Sequence, residues 1–235
     1  KGITNILLVP LFALSLISIF SISISPDKNK LYWDPFNGKT VFSEWNPVAK
    51  IDVMMDTNEK LTILNDGDAQ TPLGFFTGYF RFLVYAARGY DKPLGSVFVI
   101  GSGGGTDVTW AYHYGSRDID AVEINSTTVS LVSNTYSSAI DNIFKQKGVR
   151  LFNEDARSFI RRTDKKYDVI TAIGVDNLSA SNAGAYMMTE NYPYTLEAFE
   201  DYWDHLSDEG FIQISRFYFP QWPRETLRVF TTFFE

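Results

Sequence analysis

The chain has 235 residues, a formal net charge of −7, no cysteine and two histidines, His113 and His205. The lack of cysteine excludes disulfide bonds, thiolate metal sites and cysteine nucleophiles, and both histidines are expected to be structural, so no metal site is predicted. The acidic charge, without a basic cluster, argues against a nucleic-acid partner.

An uncharged apolar segment opens the chain. No residue from Gly2 to Ser25 carries a charge, and this length suffices to cross a bilayer, which takes roughly 20 apolar residues. We expect a transmembrane helix over residues 1–25, with a cleavable signal peptide or a buried helix as the alternatives. Because the chain begins at Lys1, we expect a piece of a larger protein in which further membrane helices precede this one.

Residues 26–47 are predicted to form a linker, because they are rich in the residues that favour turns. Lys28, Lys30 and Lys39 lie in this segment, and lysines close to a membrane helix favour the cytoplasmic side. The sequence therefore predicts a membrane-anchored protein whose main domain lies on the cytoplasmic side.

A small β unit, residues 48–72, is predicted after the linker. Its strands and its closing polar turn are Val48–Met54, Lys60–Leu64 and Asn65–Gln70. An apolar, aromatic helix, Leu73–Ala87, then begins the third predicted domain, residues 73–235.

A strand, a glycine-rich turn, a helix and a second strand follow in order from Ser96 to Asn125. The apolar run Val97–Ile100 is typical of a strand buried on both faces of a parallel sheet. The turn contains, in order, Gly101, Ser102, Gly103, Gly104 and Gly105. The helix Thr106–Tyr114 and the strand Ile119–Ile124 complete the unit, and this strand carries Glu123 to its carboxyl end.

This order of elements is typical of a nucleoside-binding half-site. Glycines let a ligand approach the backbone closely, and Glu123 can accept both hydrogen bonds of a ribose diol. Glu123 lies 18 residues after Gly105, close to the spacing of dinucleotide-binding proteins, so spacing does not distinguish NAD from S-adenosylmethionine. The alternative is an ordinary tight turn between a strand and a helix.

Strands and helices continue to alternate in the rest of the chain. The strands are Val149–Phe152, Tyr167–Ile173 and Gly210–Ser215, and the helices are Ser126–Ser137, a helix from Asp155 to Arg162, Tyr194–Leu206 and Glu225–Phe234. This alternation predicts an α/β fold with a doubly wound, mainly parallel Rossmann-like sheet. Because the chain stops before a sixth strand, the sheet is expected to be truncated, and self-association would cover its open edge.

An acid also follows the third strand of this sheet. Asp155 can accept a hydrogen bond from an adenine amino group, with Ala156 or Phe159 near the ring. Asp is also a good helix N-cap, and the two roles are compatible. Asn125 or Ser126 is expected to cap the helix that follows Glu123.

Together these motifs resemble the spermidine and spermine synthase group of the class I S-adenosylmethionine-dependent methyltransferase superfamily, and most of all a membrane-anchored branch of that group. The segments that carry the resemblance are Gly101–Asp107, Val122–Asn125, Glu154–Arg157, Val175–Asp176 and Thr189–Phe199. The resemblance implies an aminopropyltransferase that uses decarboxylated S-adenosylmethionine and a small-molecule amine. The residues predicted to bind the cofactor are Gly101, Ser102, Gly103, Gly104, Gly105, Asp107, Glu123, Asn125, Asp155 and Ala156.

The chain departs from the aminopropyltransferase pattern at two positions. Gly104 stands where those enzymes carry an Asp that contacts the amine end of the decarboxylated cofactor, and Asp107 would replace it only in a differently shaped loop. Those enzymes also carry an Asp directly after the fourth strand, whereas the first acid after that strand here is Asp176. The cofactor site is therefore better supported than the transfer to a polyamine.

Asp176 is the candidate catalytic base, since a sulfonium donor is already activated and the protein must orient the amine and accept its proton. An Asx-turn or a helix cap is the alternative role of Asp176. Gln70, Glu190 and Tyr192 are the candidate substrate contacts, with a plain turn for Gln70 and a helix entry for the other two as alternatives.

Three functions agree with these observations. The first is an aminopropyltransferase-like enzyme, and the second is a methyltransferase that uses S-adenosylmethionine itself. The third is a noncatalytic nucleoside-sensing domain attached to a membrane unit.

Overall fold

The structure, a computed structural model, describes residues 38–67, 69–74, 92–175, 192–215 and 224–234. The predicted transmembrane helix and most of the predicted helix Leu73–Ala87 lie outside these ranges. Among the described helices, none is long and apolar enough to cross a membrane. The membrane anchor therefore stays a prediction.

An antiparallel sheet, here called the amino-terminal sheet, precedes the nucleotide-binding motif. Its strands, in spatial and chain order, are β1 (Lys39–Trp45), β2 (Lys50–Met55), β3 (Leu61–Asn65) and β4 (Ala69–Pro72). The sequence predicts β2 and β3 but not the other two strands. Residues 39–45, assigned to the linker, form an edge strand that is mostly exposed and so lacks an apolar pattern. The strand β4 is short and polar and ends in proline, and it forms the opposite edge of the sheet.

The remaining strands form one five-stranded sheet, here called the parallel sheet, in the order β7-β6-β5-β8-β9. The strands are β5 (Ser96–Ile100), β6 (Asp118–Val122), β7 (Val149–Phe152), β8 (Tyr167–Ile173) and β9 (Leu206–Ser215). The helices are α1 (Thr106–His113), α2 (Ser126–Ser130), α3 (Ala156–Ile160), α4 (Leu196–Asp204) and α5 (Arg224–Phe234). All neighbouring strands in this sheet are parallel, so the predicted Rossmann-like sheet is confirmed.

Both faces of the parallel sheet are buried. Val97 and Val99 of β5 pack in a core with α1 and the amino-terminal sheet, whereas Phe98 and Ile100 pack in a second core with α3 and α4. The chain reverses its direction of winding between β5 and β8, and open α/β sheets bind their ligands at the carboxyl ends of the strands at such a point. The residues that follow β5 and β6 are therefore the candidates for binding a ligand.

The helix predicted over Ser126–Ser137 is irregular. Only Ser126–Ser130 is α-helical, and a π-helical turn, Leu131–Thr135, continues it. The hydroxyl of Ser133 donates to the carbonyl oxygen of Val129 at 2.6 Å, and such side-chain bonds compete with regular helix geometry.

The two histidines differ in exposure. His113 is exposed at the end of α1, whereas both ring nitrogens of His205 lie near carbonyl oxygens, of Asp201 at 2.6 Å and of Thr163 at 2.8 Å. His205 therefore joins the end of α4 to the segment before β8, a structural role.

Candidate functional site

The glycine turn, residues 101–105, lies between β5 and α1. The Ser102 amide donates to the carbonyl oxygen of Val122 in β6 at 2.9 Å, and the Gly105 amide donates to the carbonyl oxygen of Ser102 at 2.8 Å. Gly105 has φ +84°, a left-handed conformation that favours glycine. The turn is thus closed by its own backbone and attached to the end of β6.

Glu123 follows β6 directly and faces this turn. Its Oε2 accepts the Gly103 amide at 3.0 Å, and its Oε1 accepts the Asn125 amide at 2.9 Å. Burial raises the pKa of Glu123 above its usual value, although the Asn125 and Gly103 amides act in the other direction. Each carboxylate oxygen has a second lone pair, so the fixed carboxylate retains the capacity to accept both hydroxyls of a ribose.

Asn125 is held by its own helix and by the amino-terminal sheet. Its Oδ1 caps α2 by accepting the amides of Thr127 at 3.1 Å and Thr128 at 3.2 Å. Asn46, in the turn between β1 and β2, donates from its Nδ2 to the same oxygen at 2.8 Å. The side chain of Asn125 is therefore committed to structure, and its backbone amide is the group that positions Glu123. Sequence reasoning missed Asn46, since its contact lies 79 positions away in the chain.

The amino-terminal sheet also touches the glycine turn. Thr71 Oγ1 accepts the Gly104 amide at 3.0 Å, and a Cβ atom built on Gly104 would overlap the carbonyl oxygen of Pro72. Gln70, the predicted substrate contact, is exposed on β4, next to Thr71. Thr71, which was not predicted to belong to the site, directly follows Gln70 in the chain.

Asp155 is the N-cap of α3, because its Oδ1 accepts the Ser158 amide at 2.8 Å. This cap leaves the second carboxylate oxygen for another donor. Ala156 packs at the edge of the second core together with Phe152. The cap agrees with one predicted role of Asp155, and the contact with adenine stays a prediction.

Asp107 was also predicted to contact the cofactor, and this contact stays a prediction. It lies on the face of α1 that packs against the parallel sheet, where it lines a cavity with Thr171 of β8 and Gln213 of β9. Burial raises the pKa of Asp107 to about 7. Asp107 is thus a partly buried acid at the contact between α1 and the sheet.

Two buried hydroxyl groups lie beside the glycine turn. Within the described ranges, the buried hydroxyls of Ser102 and Thr106 have no hydrogen-bond partner. Hydroxyls that are orphaned next to a fixed carboxylate fit a polar ligand at this point. The described residues contain no cluster of His, Cys, Asp or Glu that could hold a metal.

The side chains of three further candidate residues are not described. Asp176 and Glu190 lie outside the described residues. Tyr192 begins the 3-10 turn Tyr192–Tyr194, which leads into α4. This agrees with the helix entry that was the alternative role of Tyr192. The side chain of Tyr192 is not described. Their roles stay predictions.

The chain is similar over part of its length to a curated protein. A polyamine aminopropyltransferase from Alkaliphilus metalliredigens (strain QYMF) is 30% identical over 139 residues, which are 58% of this chain and 48% of that protein. The chain therefore spans about half the length of this curated relative. No family model matches the chain.

Two solved spermidine synthase structures share the fold. One, a complex with the transition state analogue AdoDATO, has a TM-score of 0.59, and the other, from Thermotoga maritima, has a TM-score of 0.60. Both are 12% identical to this chain and cover 83% of it, and the matches cover 62% and 63% of those chains. The chain thus has a spermidine synthase-like fold.

Proposed function

We propose that the glycine turn, Glu123 and Asp155 bind the adenosyl part of a sulfonium cofactor, either S-adenosylmethionine or its decarboxylated form. The observation that carries this proposal is the Glu123 carboxylate, which the amides of Gly103 and Asn125 fix at the carboxyl end of β6. Preorganised acceptors bind a ribose diol without a further ordering cost. Asp155 supplies the adenine contact through the oxygen that does not cap α3.

The proposed reaction is the transfer of an aminopropyl group to an amine. When bound, the sulfonium supplies an activated carbon, and the amine nitrogen bonds to that carbon as the carbon–sulfur bond breaks and leaves a neutral thioether nucleoside. The chain must orient the amine and accept the proton that its nitrogen loses. Asp176 is the proposed base. The similarity to the polyamine aminopropyltransferase supports this choice of reaction.

Methyl transfer from S-adenosylmethionine is the second candidate, and the packing around Gly104 favours it. The Pro72 carbonyl oxygen leaves no space for a side chain at position 104, so no acid can contact the amine end of a decarboxylated cofactor from there. Without an acid at that position, the amino end of α1 can accept the carboxylate that only the complete cofactor carries.

A binding comparison of the two cofactors tests both candidates. Titration calorimetry on the purified full chain should give a measurable affinity for at least one of them, and Glu209→Gln, an exposed change, should leave that affinity unchanged. Mass spectrometry of a reaction with a diamine should then detect methylthioadenosine for aminopropyl transfer or S-adenosylhomocysteine for methyl transfer. The absence of affinity for both cofactors would contradict the proposed site.

A further inference from the structure

Three polar residues line the space between α1 and the parallel sheet: Asp107, which is partly buried, and Thr171 and Gln213, which are buried. Asp107 belongs to the helix face that packs on the sheet, which also carries Trp110, Ala111 and Tyr114 at helical spacing. Thr171 and Gln213 are register partners on neighbouring strands. All of these residues line one cavity, whose other walls are the apolar residues Leu94, Val97, Val169 and Ile173. An acid, a hydroxyl and an amide thus meet inside an otherwise apolar layer.

These groups have no partner within the described part of the chain. Thr171 and Gln213 are 5% and 8% exposed, and the hydroxyl of Thr171 and both polar atoms of the Gln213 amide form no hydrogen bond there. Burial alone raises the pKa of Asp107, since no described cation contributes to the shift. Buried polar side chains are nearly always hydrogen-bonded, so orphaned atoms on two neighbouring strands, in a cavity that an acid also lines, indicate a ligand.

The chemistry of the cavity selects a small monovalent cation with N–H donors. A carboxylate, a hydroxyl oxygen and an amide oxygen offer three acceptors, and an ammonium group has that number of donors when it is attached to carbon. One carboxylate balances one positive charge, whereas calcium takes six to eight oxygen ligands that these apolar walls do not provide. The indole of Trp110 adds a ring that attracts a cation.

The size of the cavity agrees with this choice. The cavity leaves about 20 Å³ for the centre of a water-sized group, which admits one ammonium head and excludes a nucleoside. We propose that Asp107, Thr171 and Gln213 bind the ammonium group of ammonium itself or of a small primary amine. This site lies between α1 and the sheet, its described lining lacks Glu123 and Asp155, and it does not depend on the proposed transfer reaction.

Thermal unfolding of the purified full chain with methylammonium chloride tests the proposal. At a concentration about 100 times the dissociation constant, the midpoint should rise by roughly 5 °C or more. Potassium chloride at equal ionic strength controls for salt, and tetramethylammonium, which has no N–H group, should have no more effect than potassium. Ammonium chloride is tested in the same way. An equal rise in the midpoint with ammonium and with methylammonium means that the site binds only the ammonium group. A larger rise with methylammonium identifies a primary amine as the ligand. A response no larger than that to potassium means that the cavity holds water only and overturns the proposal.

Substitutions show whether methylammonium binds in this cavity. Asp107→Asn should weaken methylammonium binding by about tenfold or more, because hydrogen bonds to charged groups are worth roughly 1.5–3 kcal/mol, and Thr171→Val should weaken it severalfold at nearly constant volume. Asp164→Asn makes the same chemical change at an exposed position and should bind as the parent does. Parent-like affinity in Asp107→Asn contradicts the proposal. If that variant does not fold, parent-like affinity in Thr171→Val contradicts it instead.

Discussion

The carbonyl oxygen of Pro72 occupies the space that a Cβ atom at Gly104 would need. The Gly104 amide donates to Thr71 Oγ1 in the same strand, so β4 packs directly on the glycine turn. Glycine at position 104 is therefore required by the amino-terminal sheet, and the departure from the aminopropyltransferase pattern at this position has a structural cause.

Gly104→Ala should destabilise the protein by about 3 kcal/mol, because a backbone carbonyl cannot move aside as a flexible side chain can. Chemical denaturation measures this loss. Gly174→Ala is the control, since Gly174 has φ +62° but no atom within 4 Å of a built Cβ, and the left-handed conformation alone should cost about 1 kcal/mol. Gly104 has no left-handed φ, so a loss near zero in Gly104→Ala would show that the contact with Pro72 is unimportant.

The parallel sheet was predictable, because apolar strands alternate with helical segments along the chain. Glu123 was predictable for the same reason, since the end of β6 determines where its carboxylate lies. β1 and β4 were not, because an exposed edge and a short polar strand bury too few side chains to produce a pattern.

Asp107 lines a cavity that the local sequence did not predict. Its closeness to the glycines in the chain suggested a cofactor contact, but side-chain direction in a helix depends on the position around the axis. Asp107 shares its face with Trp110 and Ala111, which point into the core. The partners across the cavity come from β8 and β9, more than 60 positions away, and no local pattern reveals them.

Glu123→Gln should weaken the binding of the preferred sulfonium cofactor by about tenfold or more, which corresponds to about 1.4 kcal/mol. The glutamine side chain has one acceptor oxygen, so its NH₂ group must face the amide of either Gly103 or Asn125, both of which donate. Titration calorimetry measures the affinity. Glu209→Gln repeats the substitution at an exposed side chain, and equal affinities in the two variants would remove Glu123 from the site.

Asp120→Asn should destabilise the protein by about 2 kcal/mol at neutral pH, because the buried Tyr167 hydroxyl, the partly buried Lys165 and the exposed Arg150 lose a charged partner. Asp120 accepts Lys165 at 2.7 Å, Tyr167 at 3.0 Å and Arg150 as well. Burial favours a higher pKa for Asp120, but the hydrogen bonds from Arg150 and Lys165 outweigh it and the pKa is lowered.

A lowered folded-state pKa means that the stabilisation by Asp120 is present above the ordinary pKa of Asp and is lost as the pH falls through the folded-state value. The difference in unfolding free energy between Asp120→Asn and the parent should therefore shrink in acid. Denaturation at a series of pH values measures it, and a difference that persists below both pKa values would contradict the role of the ionised carboxylate.

Asp107→Asn should have the opposite pH dependence. Burial raises the pKa of Asp107 from 3.8 to about 7, so the folded state binds this proton more tightly than the unfolded chain does. The contribution of Asp107 to stability is then full below pH 3.8 and is lost as the pH rises through about 7.

Because asparagine cannot ionise, Asp107→Asn should match the parent in acid and exceed its unfolding free energy at about pH 8 by roughly 4 kcal/mol, since each pKa unit is worth about 1.36 kcal/mol. The buffers should contain sodium and no ammonium or amine, because a bound ammonium group would hold the carboxylate ionised. Asp164→Asn measures the effect of the same change at an exposed position. A difference between Asp107→Asn and the parent that does not vary with pH would show that Asp107 does not titrate in the cavity, whereas a gain that disappears when methylammonium is added connects the titration of Asp107 to the cation site.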